Sequence, residues 1–283
     1  MLDVEAIIDD NIEDYFSLLG KDVSEDMNRE FYRAYGALEG DAPVGVIVYE
    51  ICNADKEDED VKSKIRLLKS DKDDALDLLH QTYKEEGAFG EDVKETSYWL
   101  EDEKLAASCE KAGFSKEFKE NDTITITLGD AAGIDFVTKM KKVPDYIRSL
   151  EDISSEQYRM AIKDSLFSGR KGLVEDLGYL KKEWFENTVS ACVITDDKVS
   201  GLFLIRITPS GIIEPVLLEA SGPDSSKHMA FMIAFSIKKG MEKYPLASTI
   251  MIGRERKEIF ALVDKLFPGV KGSDAFYGSR KEE

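Results

Sequence analysis

Gly36-Ala37-Leu38-Glu39-Gly40-Asp41-Ala42-Pro43-Val44-Gly45-Val46-Ile47-Val48-Tyr49 reads as a strand, a tight Gly-Asp turn and a second strand rich in β-branched residues. The stretch Val189-Ser190-Ala191-Cys192-Val193-Ile194-Thr195-Asp196-Asp197-Lys198-Val199-Ser200-Gly201-Leu202-Phe203-Leu204-Ile205 has the same layout, and Asp41/Asp197 and Gly45/Gly201 are both 156 residues apart. The second hairpin repeats the first.

Working outward, each hairpin is followed by another apolar strand, Ile65-Arg66-Leu67-Leu68 in the first half and Ile212 to Ala220 in the second. A helix follows each. The first runs from Ser70 through Ala75, Leu78, Leu79 and Tyr83 with apolar residues three and four apart, and the second spans Met229 to Tyr244. Ser70/Ser225 and Ala75/Ala230 are 155 residues apart, and Gly113/Gly269, each just past a further helical pattern, are again 156 apart. Near-constant spacing at five pairs predicts two copies of one α/β domain, residues 1–138 and 139–283, joined where the strand pattern Thr123 to Leu128 gives way to a basic connector ending in Lys141-Lys142-Val143-Pro144. Asp55 to Asp60 reads as a solvated acidic loop and Gly278 to Glu283 as a frayed tail.

The chain has 283 residues, of which 42% are apolar and 34% charged, enough for sizeable cores beneath a soluble surface. No run reaches the ~18 apolar residues of a membrane helix, and the start lacks a signal-peptide layout, so the expected location is the cytoplasm. Three cysteines, Cys52, Cys109 and Cys192, an odd number without Cys-x-x-Cys spacing, predict reduced thiols. With only His80 and His228, no histidine-rich metal centre is expected. Residues 1–138 carry 36 acidic against 15 basic side chains, a net −21, whereas 139–283 carry 21 against 23, a net +2. The first half repels phosphate backbones, which argues against nucleic acid as a partner, and anionic ligands should prefer the second.

The order strand, hairpin partner, central strand, loop, helix, strand, helix ending in Gly resembles the GNAT (Gcn5-related N-acetyltransferase) superfamily. Val44-Gly45-Val46-Ile47 and Val199-Ser200-Gly201-Leu202-Phe203 look like its third-strand motif, and Leu105 to Phe114 looks like its closing helix with a terminal Gly-Phe. The resemblance covers the whole chain as a tandem pair and implies an α/β, mixed-sheet fold and an acetyl-CoA-dependent N-acetyltransferase. It implies acetyl-CoA held by the backbone of Val216, Leu217 and Leu218 on the central strand and by the helix start Ser225-Ser226-Lys227-His228-Met229-Ala230. That start departs from the family's Q/R-x-x-G-x-G/A: only Ala230 matches, Ser225 stands for Gln or Arg and His228 for Gly, although Ser226, Lys227 and His228 can each donate to a phosphate. In the first copy, Ser70-Asp71-Lys72-Asp73-Asp74-Ala75 crowds three carboxylates where a pyrophosphate would sit, and that copy is read as non-binding.

Glu214 occupies roughly the position of the family's general base, beside Pro215 where the family's strand bulges. The position of the family's acid holds Cys109 in one copy and Lys265 in the other, which leaves Tyr277 as the substitute. The solvent-facing strand glutamate and the packed aromatic ring stand as the plainer readings of Glu214 and Tyr277. The expected partners are an amine acceptor, of cationic type to suit the acidic first half, and a second copy of the chain, with neither nucleic acid nor membrane. A catalytically silent GNAT-like binding or oligomerisation module stands as the alternative, because the missing Gln/Arg, Gly and Tyr favour it.

Overall fold

Alternation along the two hairpins places each strand between two cores. In the computed structural model, which describes residues 2–27, 31–52, 61–86, 93–167, 181–195, 198–253 and 257–282, the chain forms two compact units. One is Met1–Asp122 with Gly272–Glu283 and the other Thr123–Lys271. This division differs from the expected boundary at 138/139 at both ends, because the strand Glu117–Thr127 from Thr123 onward belongs to the second unit and the strand Ser273–Lys281 to the first.

The first unit contains β1 (Leu2–Ala6), α1 (Phe16–Asp26), β2 (Tyr32–Glu39), β3 (Ala42–Cys52), β4 (Val61–Ser70), α2 (Asp73–Glu86), β5 (Val93–Leu100) and α3 (Glu103–Lys111). Its sheet order is β1-β2-β3-β4-β5-β12, the last being Ser273–Lys281. Neighbours are antiparallel except β4 and β5. Val46 and Val48 pack with Tyr15 and Leu19 on one face, while Ile47, Tyr49 and Ile51 pack with Ala75, Leu79 and Tyr83 on the other, as a period of two requires.

The expected frayed tail is instead β12. It pairs with β5 from Phe276↔Leu100 to Lys281↔Glu95, and Arg280 donates to Ala112 O (2.8 Å) while its guanidinium lies 4.6 Å from the Phe114 ring centre. Its charged residues, which resemble a solvated end, are held by Glu282 and by the end of α3.

The second unit contains the part of β6 (Glu117–Thr127) from Thr123 onward, α4 (Leu128–Ala132), α5 (Asp135–Lys139), β7 (Ile147–Ser149), α6 (Ser155–Phe167), β8 (Ala191–Thr195), β9 (Lys198–Ile207), β10 (Ile213–Ala220), α7 (Ser225–Lys243), β11 (Thr249–Gly253) and α8 (Lys257–Leu266). Its strand order, β6-β11-β10-β9-β8-β7, repeats that of the first unit. Phe203 and Ile205 pack with Met232 and Ile233 of α7, while Leu202 and Leu204 pack with Tyr158 and Ile162 of α6. The acidic loop 55–60, Asp197 and the Cys52 side chain lie outside what is described.

The repeat is visible in backbone detail. Gly113 and Gly269 both take positive φ, 91° and 78°. After α3 the N–H of Gly113 bonds Glu110 O and that of Phe114 bonds Cys109 O, a Schellman stop that favours glycine. Gly45 lies opposite Ser70 and Gly201 opposite Ala220, each the last residue of the next strand. These pairings and the shared burial of the helices correct the helix alignment read from sequence. Ser70/Ala220 sets an offset of 150 on the strand. The buried helical faces Ala75/Met232, Leu76/Ile233 and Leu79/Ser236 set 157. The second copy therefore inserts seven residues between central strand and helix, and Ser225 to Met229 has no counterpart inside α2.

A Cβ on Gly201 would lie 2.9 Å from Val193 Cγ2 and 3.0 Å from Glu219 O, whereas one on Gly253 meets nothing within 4 Å. Gly201→Ala is expected to cost about 1–3 kcal/mol and to lower the thermal midpoint, with Gly253→Ala near wild type; equal midpoints by calorimetry refute the close approach.

Candidate functional site

The inserted residues lead directly to the entrance of α7. Ser221 N–H and Oγ both donate to Ser200 O (2.8 and 3.1 Å), and Gly222 turns the chain at φ 87°. Asp224 stands at the N-cap without a side-chain cap bond. Ser225 N–H bonds Gly222 O and His228 N–H bonds Asp224 O. The N–H groups of Ser226 and Lys227 find no acceptor among the described residues, as the first turn of a helix dictates. Both side chains are exposed and the first turn contains no acid, so the partial positive charge of the helix start meets solvent together with one lysine. His228 turns its ring to Tyr146 at 5.5 Å, edge to face, and its Nδ1 is enclosed without a partner. Met229 and Ala230 are half-buried, Met229 packing against the core.

The strand that feeds this entrance is irregular where it matters. Among the described residues β10 registers in parallel with β11 at Ile213↔Ile250 alone, and β10 continues to Ala220. On its other side the pairing with β9 shifts between Pro215 and Leu217, so Val216 is the bulged residue. Pro215 supplies no N–H there. Val216 and Leu217 bury their side chains towards α6 and Leu218 towards α7. Glu214 is half-exposed and stands opposite Arg206 of β9.

Tyr277 is on β12, in the sheet of the first unit, opposite Trp99 with Lys119 Nζ 4.0 Å from its ring centre. Sequence spacing assigned that tyrosine to the second copy because nothing local reveals that the last strand pairs with β5.

The first copy's counterpart is built differently. β4 bulges at Arg66, four residues before its end as β10 does at Val216, but β4 keeps its parallel pairing with β5 from Val61↔Val93 to Ile65↔Tyr98. Behind that pairing, Ser63 Oγ, Tyr83 OH and Thr96 Oγ1 form a closed, buried triangle of hydrogen bonds at 2.7, 2.8 and 3.0 Å. Its helix start is occupied by its own side chains: Ser70 Oγ accepts from Lys72 N–H and donates to Val44 O, Asp74 Oδ1 accepts from Ala75 N–H, and Asp73 pairs with Lys104 at 3.0 Å.

Cys109 lies fully buried in this unit, and burial pushes its thiol up to about 12. His80 Nε2 is 3.9 Å from its Sγ, yet burial, with the Arg280 charge adding to it, holds the imidazole down at about 4. A neutral imidazole and an undissociated thiol do not make a nucleophile. Cys192 is likewise pushed up to about 12 by burial.

No protein-family model matches the chain, and no curated protein matches it at a significant level. Solved structures do. A tandem GNAT protein from the clavulanic acid biosynthesis pathway covers 100% of this chain with 99% of its own, at 10% identity and a TM-score of 0.63. A putative acetyltransferase from Pyrococcus horikoshii covers 100% with 90% of its own, at 14% identity and 0.60. A probable N-acyltransferase from Enterococcus faecalis V583 covers 100% with 73% of its own, at 12% identity and 0.55. The chain has the tandem GNAT fold. Among the described residues no helix is long and apolar enough to cross a membrane.

The His80 imidazole, at about 4 in the folded protein against 6.5 when exposed, takes up protons in the unfolded chain first. Its contribution to stability is complete above about pH 6.5 and is lost as pH falls towards 4, by up to about 3 kcal/mol. Denaturant titrations across that window are expected to show this decline and to lose it in His80→Leu; a slope unchanged by the substitution refutes the assignment.

Proposed function

We propose that the chain is an acyl-CoA-dependent N-acyltransferase, using acetyl-CoA and an amine acceptor, with its thioester site in the second unit. The carrying observation is the contrast between the copies. Both central strands part from their parallel neighbours before they end, β10 after Ile213 and β4 after Ile65, but β10 runs into an exposed helix entrance with unspent N–H groups, whereas β4 runs into a helix start filled by its own side chains. Strand edge, bulge and helix start fit an extended ligand that ends in a diphosphate. Backbone at Val216, Leu217 and Leu218 would hold the amide-bearing arm. Ser225, Ser226 and the ammonium of Lys227 would hold the diphosphate, helped by the polar helix start that continues through His228 and Met229 to Ala230. Acetyl-CoA supplies an activated acyl thioester. The Glu214 carboxylate takes the proton that an acceptor ammonium must lose before its nitrogen can attack.

The first copy serves as a non-binding partner domain whose excess of acid raises the local concentration of cationic acceptors. One rival reading, a silent module that binds the thioester without turnover, is favoured by the departure of Ser225 and His228 from the family's helix-start pattern.

Millimolar acetyl-CoA is expected to raise the thermal midpoint, and Lys227→Glu to abolish the shift by placing a carboxylate at the helix start. No shift with wild-type protein removes the thioester site altogether.

Glu214→Gln is expected to lower turnover on amine acceptors by about 10²–10⁴-fold while leaving the acetyl-CoA shift intact. Undiminished turnover excludes Glu214 as the base, and a thermal shift without turnover of any amine in wild type selects the silent module.

A further inference from the structure

A cavity of about 470 Å³ opens in the second unit at the far end of α7 from the entrance described above, between that helix and residues 147–152. At 1.5 Å per residue, Lys239 stands roughly 20 Å along the axis from Ser226, so the two sites are separate. One wall is a single helical face, Phe235, Lys239, Glu242 and Lys243. Lys243 Nζ is 2.7 Å from Glu186 Oε1, whose carboxylate also accepts from Thr188 Oγ1 and Tyr244 OH, each at 2.7 Å. Burial works against that charge, but these partners hold the Glu186 carboxyl down at about 2. Lys243 is therefore committed. Among the described residues Lys239 pairs only with Glu242, at 2.8 Å and in the open, where water competes.

The opposite wall has the other sign. Glu151 and Asp152, in the turn after β7, line the cavity and have no cationic partner within ion-pair distance among the described residues. Arg148 also borders it, but strand alternation sends its side chain to the opposite face of β7 from Ile147 and Ser149. Ile147 packs in the cluster that includes α7, so Ser149 faces the helix wall. Ser149 is 5% exposed, and its hydroxyl has no hydrogen-bond partner. A buried hydroxyl left in that state is costly unless something else meets it.

We propose that this cavity binds a small zwitterion of the free amino-acid class. Its carboxylate lies against Lys239 and the Ser149 hydroxyl, its ammonium against Glu151 and Asp152, and its apolar side chain over Phe235 and Ile147. A ligand of one charge leaves one wall unanswered, whereas a dipolar one answers both, and the volume falls within the range of roughly 300–1,000 Å³ usual for small-molecule sites.

The test is calorimetric titration of the full chain with L-phenylalanine, N-acetyl-L-phenylalanine and L-phenylalaninamide. The free amino acid is expected to bind, with each masked form at least roughly tenfold weaker, the equivalent of one charge-assisted contact. Ser149→Ala, which removes only the orphan hydroxyl, and Lys239→Gln are each expected to weaken L-phenylalanine while leaving the amide, which lacks the carboxylate, unchanged. Lys227→Glu is expected to leave the titration untouched, so failure here is distinct from failure of the thioester site. The proposal is overturned by absence of saturable binding at millimolar L-phenylalanine, by equal affinity for the N-acetylated form, or by loss of binding in Lys227→Glu.

Discussion

The ladder between β5 and β12 is the constraint on which the first unit depends. At its centre Gly278 stands opposite Tyr98, and a Cβ there would lie 1.8 Å from Ser115 O and 2.4 Å from a Tyr98 ring carbon. Such a contact is impossible for any residue with a side chain. Around this point Ser279 N–H bonds Ser115 Oγ, Ser115 N–H bonds Ser279 O, and Arg280 reaches Ala112 O at the end of α3. The same strand thus closes a sheet edge, satisfies a helix terminus and covers Phe114. In the second unit β6 does the corresponding work, pairing with β11 from Thr123↔Gly253 to Thr127↔Thr249.

The two copies share a frame and have diverged at one joint. Both central strands bulge four residues before they end, but the second copy has seven additional residues between strand and helix face. Those residues project the start of α7 as an open turn, with Asp224 at its N-cap and no acid in its first helical turn. The first copy, without them, turns directly into a helix beginning Asp73-Asp74 and closes the gap beneath with Ser63, Tyr83 and Thr96. Electrostatics and hydrogen bonding agree on which entrance suits an anion.

Much of this was legible in the chain itself. The hairpins, the glycines at 45, 113, 201 and 269, and the helices after them announce a duplicated α/β domain because turn chemistry and hydrophobic period are local signals. The registers were less accessible. Counting Ser70 against Ser225 missed the insertion, since an offset of 155 looks like conservation of length although the strand sets 150 and the helix 157. The destination of β12 was invisible because its closing residues, Gly-Ser-Arg-Lys, are those of a solvated end, and only pairing with a distant strand orders them. The Glu186 cluster and the cavity beside Ser149 were missed for the same reason: Lys243 is 57 residues from Glu186 in sequence, and no spacing rule joins them.

The pairing of Phe276 with Leu100 spans 176 residues. On the ribosome the interval 123–271 emerges uninterrupted, whereas β5 lacks β12 until translation has passed Lys281. Closing so long a loop is slow. The ladder that completes the earlier half therefore waits on the last residues to be made.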